Sequence, residues 1–154
     1  MGRELALRLR IKWLTGFFLL GLVLSGATAI PLQTETSWLA RYTNTEWLIR
    51  VHEALVRTQS HYPFLFYGTD WLAFGHFVIA IAFIGAFKDP VRNRWLFDFG
   101  LIACALVIPW ALIFGTVRGI PSWWRLIDCS FGVLGFIPLW LCRIWVMELE
   151  AQKR

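Results

Sequence analysis

Four long apolar stretches, separated by short charged breaks, constrain this chain more than any other feature. They cover roughly residues 13–30, 71–87, 95–115 and 126–147. Each is long enough, or nearly so, to cross a hydrocarbon layer about 30 Å thick at 1.5 Å per residue. Composition agrees, because 58% of the 154 residues are hydrophobic, against about 45–50% in a soluble domain. The sequence therefore predicts an integral membrane protein.

The length of the chain limits how these spans can be organised. A chain of 154 residues is too short for two ordinary domains and suits one bundle, so we expect a single membrane domain over residues 1–154. Short connections between the later spans favour antiparallel neighbours. The predicted fold is therefore an all-α four-helix bundle with up-down-up-down topology. Gly21 and Ser25 form a small-xxx-small pair, which favours a helix contact in a homo-oligomer.

The distribution of Lys and Arg predicts the orientation of the spans. Ten of the 15 basic residues lie before the first span, after the second, or in the last turns of the fourth and beyond it, and five lie in the opposite segments. The positive-inside rule then places both termini in the cytoplasm. The segments 32–70 and 116–121 would face outward. We expect the protein to be integral to a cell membrane, and we favour a bacterial inner membrane. Because orientation accounts for the basic excess, nothing indicates nucleic-acid binding.

The N-terminal region also fits a second interpretation. Its basic tract, its apolar run and Ala27-Thr28-Ala29 resemble a signal peptide with an A-x-A cleavage site. The apolar run is somewhat long for a signal peptide, so we favour a retained span. Cleavage would leave three spans and remove the predicted topology.

The outer segment 32–70 contains a predicted surface helix. Thr45 and Glu46 resemble a helix start with an acidic first turn. One face of the following three turns is apolar, with Trp47, Leu48, Val51 and Leu55. The other face carries acid-first i,i+4 pairs, Glu46/Arg50 and Glu53/Arg57. We expect this amphipathic helix to lie on the outer membrane surface, where it would cap the bundle or act as a lid.

Capping chemistry predicts where the later helices begin. The candidates are Thr69 or Asp70 for the second span, Asp89 with Pro90 for the third, and Pro121 for the fourth. The third helix would therefore begin at about Pro90. Arg94 and Asp98 would then be i,i+4 neighbours, which predicts a surface ion pair.

The fourth span carries an unusual stripe. Its members recur at spacings of 3, 4, 3, 4 and 3, namely Arg125, Asp128, Gly132, Gly135, Leu139 and Cys142. Such spacing places them on one helix face, and glycines there allow a neighbouring helix to approach closely. Arg125 and Asp128 are close enough in sequence to meet. Asp128 lies about 10 Å below Pro121, where an unpaired carboxylate costs about 2.5 kcal/mol or more.

The second span offers a partner for this carboxylate. His76 lies about 8 Å below Trp71, at a comparable depth from the same side, with the small residues Ala73 and Ala80 on its face. We therefore hypothesise an outer-leaflet polar site of His76, Arg125 and Asp128, with Arg118, Asp70 and Glu53 at its mouth. Alternatively, the three inner residues only bond one another and lock the bundle.

Other chemistries have little support in the sequence. Cys104, Cys129 and Cys142 lie inside apolar spans without a CxxC pair, which argues against a structural disulfide and thiol-redox catalysis. Of the histidines His52, His61 and His76, only the last is well inside a span, whereas bis-histidine haem needs two facing histidines at one depth. No catalytic, nucleotide-binding or metal-binding motif is present. We therefore predict no metal and no cofactor.

Three functions fit this pattern. The leading hypothesis is a non-enzymatic protein, surrounded by membrane lipids, that binds a small or lipid-like ligand or a partner subunit through the outer polar pocket. The first alternative is an enzyme that modifies a lipid or quinone, with His76 or Asp128 as general acid or base and Arg125 holding an anionic head group. The second alternative is a haem-binding redox subunit. At this point the sequence leaves open whether a reaction is catalysed.

Overall fold

The computed structural model describes residues 2–152, and its regular structure is helical. The elements are α1 (Gly2–Thr28), α2 (Leu32–Thr43), α3 (Glu46–His61), a 3-10 helix (Pro63–Phe66), α4 (Tyr67–Lys88), α5 (Arg94–Val117) and α6 (Ser122–Ala151). No strand occurs among these described residues. The predicted all-α class is confirmed.

Four helical segments are long and apolar enough to cross a membrane. They are α1, the 3-10 helix continued by α4, α5, and α6, with 24 to 30 residues each. At 1.5 Å per residue the shortest is about 36 Å long, which exceeds a hydrocarbon core of about 30 Å. The four predicted spans are therefore present as apolar helices, which favours a membrane protein. Lys153 and Arg154, part of the predicted basic tail, lie outside the described residues.

The outer segment contains two helices where the sequence predicted one. The start of α3 at Glu46 is as predicted, but the helix runs for 16 residues rather than about three turns. The additional helix, α2, begins directly after Pro31 and ends at Asn44, whose φ of 48° is left-handed. Asparagine tolerates that conformation at a helix end better than most residues.

The second span begins earlier than predicted. Helix α4 starts at Tyr67, so Thr69 and Asp70 lie in its first turn and do not cap it. The Thr69 hydroxyl instead donates to the carbonyl of Phe66 at 2.7 Å. The predicted capping role of these two residues is therefore wrong, because the preceding 3-10 helix leads directly into α4.

The third helix begins four residues later than predicted, at Arg94. Asp89 does accept a backbone hydrogen bond, from the N–H of Arg92 at 3.1 Å, but it stabilises a turn rather than the start of α5. The Asn93 side-chain amide donates to the carbonyl of Gly85 at 3.0 Å. The same carbonyl accepts the N–H of Asp89 at 2.9 Å, so Asn93 adds a second bond that ties the turn to the end of α4.

The connection between α5 and α6 is a Schellman turn. The N–H of Ile120 donates to the carbonyl of Gly115 at 2.8 Å, and the N–H of Gly119 donates to that of Thr116 at 3.1 Å. Gly119 has a φ of 67°, which favours glycine over any residue with a side chain. Pro121 immediately precedes α6.

The chain forms two compact units, and the boundaries between them fall within α1 and α4. The first unit comprises residues 1–20 and 81–154, and the second comprises residues 21–80. The first has a continuous buried core of Ile11, Phe83, Phe97, Leu139, Cys142, Val146 and Leu149. In the second, α2 packs on α3, with Thr36, Ala40 and Leu48 buried.

Candidate functional site

In the first unit, α5 and α6 pack closely along the predicted glycine stripe. A Cβ placed on Gly132 would lie 2.6 Å from the Cys104 carbonyl oxygen, and one on Gly135 would lie 2.8 Å from the Cys104 sulfur. On α5, a Cβ on Gly100 would lie 2.6 Å from Leu139 Cδ1. Residues later in α5 therefore contact residues earlier in α6, so the two helices are antiparallel. The prediction that these glycines admit a neighbouring helix is confirmed.

The other edge of the stripe contacts α1. A Cβ on Gly135 would lie 3.2 Å from a ring carbon of Phe18. The Cys142 sulfur lies 3.8 Å from both the Thr15 hydroxyl and the Ile11 carbonyl oxygen, and the Thr15 and Cys142 side chains are fully buried. Cys142 is thus a core residue that joins α6 to α1.

Arg125 lies beyond the glycines, near the turn between α5 and α6. A Cβ on Gly115 would lie 2.5 Å from Arg125 Cδ, so the arginine stem lies directly on bare α5 backbone. Its Nη1 donates to the Thr116 hydroxyl at 2.6 Å, and that hydroxyl donates to the Leu112 carbonyl at 2.6 Å. Its buried Nε has no hydrogen-bond partner among residues 2–152. The guanidinium is therefore held in place with unused donors.

Asp128 is half-buried and makes no hydrogen bond or ion pair within residues 2–152. The contact with Arg125 that its i,i+3 spacing allows is not formed, because Arg125 is bonded to Thr116 across the helix pair. Asp128 and Gly135 are two turns apart on α6, so both lie on the side of α6 that contacts α1. Arg118 is exposed, and no ion pair involves it in the described part of the chain.

An apolar groove of about 370 Å³ lies between α5 and α6. It is lined by Cys104, Ala105, Ile108 and Pro109 from α5 and by Gly132, Val133, Phe136 and Ile137 from α6. Ligand pockets in proteins start at about 300 Å³. No pattern in the sequence predicted this groove. The available signal was that Ala105 and Gly132 are small residues on two helices expected to be antiparallel neighbours.

Arg125 lies in line with this groove. It precedes Gly132 by seven residues, which is two turns or about 10 Å along α6, and points in nearly the same direction. The Arg125 backbone thus lies about two turns beyond the Gly132 part of the groove, and its guanidinium is bonded to Thr116. This arrangement can accommodate a molecule with a long apolar part and a polar or anionic end.

The opposite end of the first unit is charged. Three ion pairs link its helices: Arg3 with Glu148 at 2.6 Å, Arg94 with Glu150 at 2.9 Å, and Arg143 with Asp98 at 2.5 Å. The predicted pair between Arg94 and Asp98 is therefore wrong, because α6 supplies a partner to each. Arg143 Nη1 is buried without a hydrogen-bond partner among residues 2–152, so Asp98 is the group that compensates this cation.

In the second unit, His76 is half-buried on α4. Its Nδ1 lies 2.8 Å from the Leu72 carbonyl oxygen. Since a carbonyl only accepts, Nδ1 is the donor in this bond, and no hydrogen bond from Nε2 is formed within residues 2–152. A Cβ on Gly26 would lie 3.0 Å from His76 Cβ, so α1 passes directly beside this histidine. Ala73, predicted as a small contact residue, is also buried where α1 passes α4 at Gly26.

The remaining predicted residues do not form a cluster of their own. Asp70 and Glu53 are exposed, and neither forms an ion pair within residues 2–152. His52 Nδ1 lies 3.4 Å from the Thr36 hydroxyl, which links α3 to α2. His76 belongs to the second unit, and Arg125 and Asp128 belong to the first. Their predicted meeting stays a prediction.

Across residues 2–152, no group of three or more His, Cys, Asp or Glu side chains is arranged to hold a metal ion. Among the described residues, the groove and Arg125 combine an apolar surface with a cation on the same helix pair.

No protein-family profile, curated protein or solved structure matches the chain.

Proposed function

We propose that the chain is integral to a cell membrane, with a bacterial inner membrane as the first choice. Helices α1, α4, α5 and α6 would cross in up-down-up-down order, with both termini cytoplasmic. The ten-to-five distribution of Lys and Arg supports this orientation. Two ion pairs, Arg3–Glu148 and Arg94–Glu150, support the relative directions of α1, α5 and α6, because they join the starts of α1 and α5 to the end of α6.

We further propose that α3 lies along the outer membrane surface as an amphipathic helix. Leu48 on its apolar face is buried, whereas the ion pair between Glu46 and Arg50, at 3.8 Å, is on an exposed face. This division of faces is typical of helices that lie in the membrane interface.

Within this membrane arrangement, we infer that the protein is a non-enzymatic binder of a lipid-like ligand. The apolar chain of the ligand would lie in the groove between α5 and α6, and its polar or anionic end would meet Arg125. The observation that carries this proposal is the apolar groove of about 370 Å³ with Arg125 about 10 Å beyond Gly132.

The chemistry of the two parts favours an amphiphile over a compact polar molecule. The groove walls offer aliphatic, aromatic and proline groups, so a polar occupant would lose its hydrogen bonds with water and gain none. At Arg125, Nη1 is bonded to Thr116, and a guanidinium carries five N–H donors in all. A planar guanidinium with unused donors suits a carboxylate or phosphate. Asp128 and Arg118 would then lie at the head-group end of the site.

Native mass spectrometry of the detergent-purified protein tests this proposal. We expect a lipid-like molecule to be retained by the natural sequence. Val133→Phe should fill the groove and Arg125→Gln should remove the cation, and each change should lower retention about tenfold. Leu134→Phe is the matched control, because Leu134 is the next residue, is exposed and does not line the groove. Equal retention by Val133→Phe and the natural sequence would contradict the proposal.

One observation favours a second candidate function, an enzyme that acts on a lipid or quinone. The bond from His76 Nδ1 to the Leu72 carbonyl leaves Nε2 free to accept a proton, as a general base requires. If the purified protein converts a quinone or lipid substrate, His76→Gln should abolish turnover without lowering the melting temperature. Turnover that survives this substitution would exclude His76 as the base.

A further inference from the structure

The charged end of the first unit divides its basic residues into two groups. The carboxylates of four acidic residues are each held by an arginine, in the pairs Glu4–Arg8, Glu148–Arg3, Glu150–Arg94 and Asp98–Arg143. All of these pairs lie on α1, α5 and α6. Arg10 is also accounted for, because its guanidinium lies 5.9 Å from the centre of the Trp145 ring.

A second group of cations has no ionic partner among residues 2–152. Lys12, Lys88 and Arg92 are all exposed. They belong to one corner, because a Cβ on Gly16 of α1 would lie 3.5 Å from Phe87 of α4. Lys12 is one turn from Gly16 towards the start of α1, and Lys88 directly follows Phe87. We call Lys12, Lys88 and Arg92 the basic corner.

The backbone of the basic corner is fixed by hydrogen bonds. Asp89 accepts the N–H of Arg92 at 3.1 Å. The Asn93 amide donates to the carbonyls of Gly85 at 3.0 Å and of Asp89 at 2.9 Å. The loop that carries Arg92 is therefore tied to the end of α4. Asp89 is the one carboxylate in this loop, and three cations leave the corner with a net positive charge.

We propose that the basic corner binds the phosphate of an anionic phospholipid in the leaflet at this end of the bundle. The corner lies at the end of α4 and where the apolar part of α1 begins, and the adjoining Trp13 is exposed, as is typical of residues at the head-group level. Lysine stems can follow the apolar helix surface while their ammonium groups reach a phosphate. Basic pockets between membrane helices recognise such head groups. This inference rests on the proposed membrane arrangement, but no residue of the corner lines the groove between α5 and α6, so it and the proposed groove ligand fail independently.

Native mass spectrometry with added lipid tests the corner directly. The full chain is titrated with phosphatidylglycerol or, separately, with phosphatidylcholine. Joint substitution of Lys12→Gln and Lys88→Gln should weaken phosphatidylglycerol binding about tenfold or more and leave phosphatidylcholine binding unchanged. The control removes the same charge elsewhere, with Arg50→Gln and Arg57→Gln on α3, and should bind both lipids as the natural sequence does.

Charge-conserving variants separate a binding role from a folding role. Lys12→Arg with Lys88→Arg should retain phosphatidylglycerol binding. Equal loss in the corner variant and the α3 control, or equal affinity of the natural sequence for the two lipids, would overturn the proposal. Displacement of the lipid by an equal concentration of inorganic phosphate would also overturn it, because the corner would then bind a free anion rather than a lipid.

Discussion

Arg125 and Asp128 behave differently although only three residues separate them. Arginine has a long stem, which crosses the bare backbone at Gly115 and reaches the Thr116 hydroxyl on α5. Aspartate is too short to follow it and makes no polar contact within residues 2–152. Spacing along one helix predicts which side chains are able to meet. It does not predict that a long side chain such as Arg125 will bond a residue of another helix instead of its neighbour on the same helix.

The isolation of Asp128 leads to a prediction about stability. In the proposed membrane arrangement, Asp128→Asn removes a charge that costs about 2.5 kcal/mol or more when unpaired, so the melting temperature should be unchanged or higher. Thermal unfolding in detergent, followed by the fluorescence of the ten tryptophans, measures it. A melting temperature several degrees lower would mean that Asp128 is bonded and holds the bundle together.

Asp98 should behave in the opposite way. Asp98→Asn leaves the Arg143 guanidinium without its carboxylate, and that side chain is only 21% exposed. Breaking a partly buried pair in this way should destabilise the protein by about 1–3 kcal/mol. Arg94→Gln breaks the more exposed pair with Glu150 and should cost less than about 1 kcal/mol.

The same thermal unfolding assay compares the two variants. The double substitution Asp98→Arg with Arg143→Asp restores opposite charges and should recover part of the loss. Equal effects of Asp98→Asn and Arg94→Gln would contradict the distinction between the two ion pairs.

Among the elements, the contact between α5 and α6 was the most predictable from sequence. The 3, 4, 3, 4 spacing of the stripe identified the face, and its glycines indicated close approach, as Gly132 and Gly135 show at Cys104. The groove beside this contact was not predictable, since it depends on which side chains of α5 oppose those glycines. That register depends on how the two helices pack together, and the spacing within one helix does not reveal it.

Gly132 tests the close contact of α5 and α6. Gly132→Ala would place a methyl group 2.6 Å from the Cys104 carbonyl oxygen, so the helices would have to separate, at a cost of about 1–3 kcal/mol. The control is Gly75→Ala on α4, where nothing lies within 4 Å. Chemical unfolding of both variants should show a loss for Gly132→Ala alone. A Gly132→Ala variant as stable as the control would contradict the packing described.

The ends of the helices were less predictable than their apolar middles. Apolar length alone identified α1, α4, α5 and α6. Asp89 and Pro90 have the composition of a helix start, yet their hydrogen bonds serve the turn before Arg94. Helix α2 was missed because its short sequence after Pro31 lacks a capping side chain and has no long apolar run.

For the whole molecule, the predicted meeting of His76 with Asp128 joins residues of separate units. A double-mutant cycle with His76→Gln and Asp128→Asn tests it through the free energy of unfolding. Residues in direct contact should show a coupling energy of at least about 0.5 kcal/mol. Additive effects of the two substitutions would exclude a shared polar site and would leave Arg125 with the groove as the binding element.

The most direct test of the proposed function is photo-crosslinking with a phospholipid that carries a diazirine in its acyl chain. After irradiation in a bilayer, peptide mapping should find adducts concentrated on groove residues such as Ala105, Val133 and Ile137, and Arg125→Gln should reduce them. Adducts spread evenly over the exposed apolar faces of α1, α4 and α5, with no enrichment at the groove, would contradict a lipid-like ligand between α5 and α6.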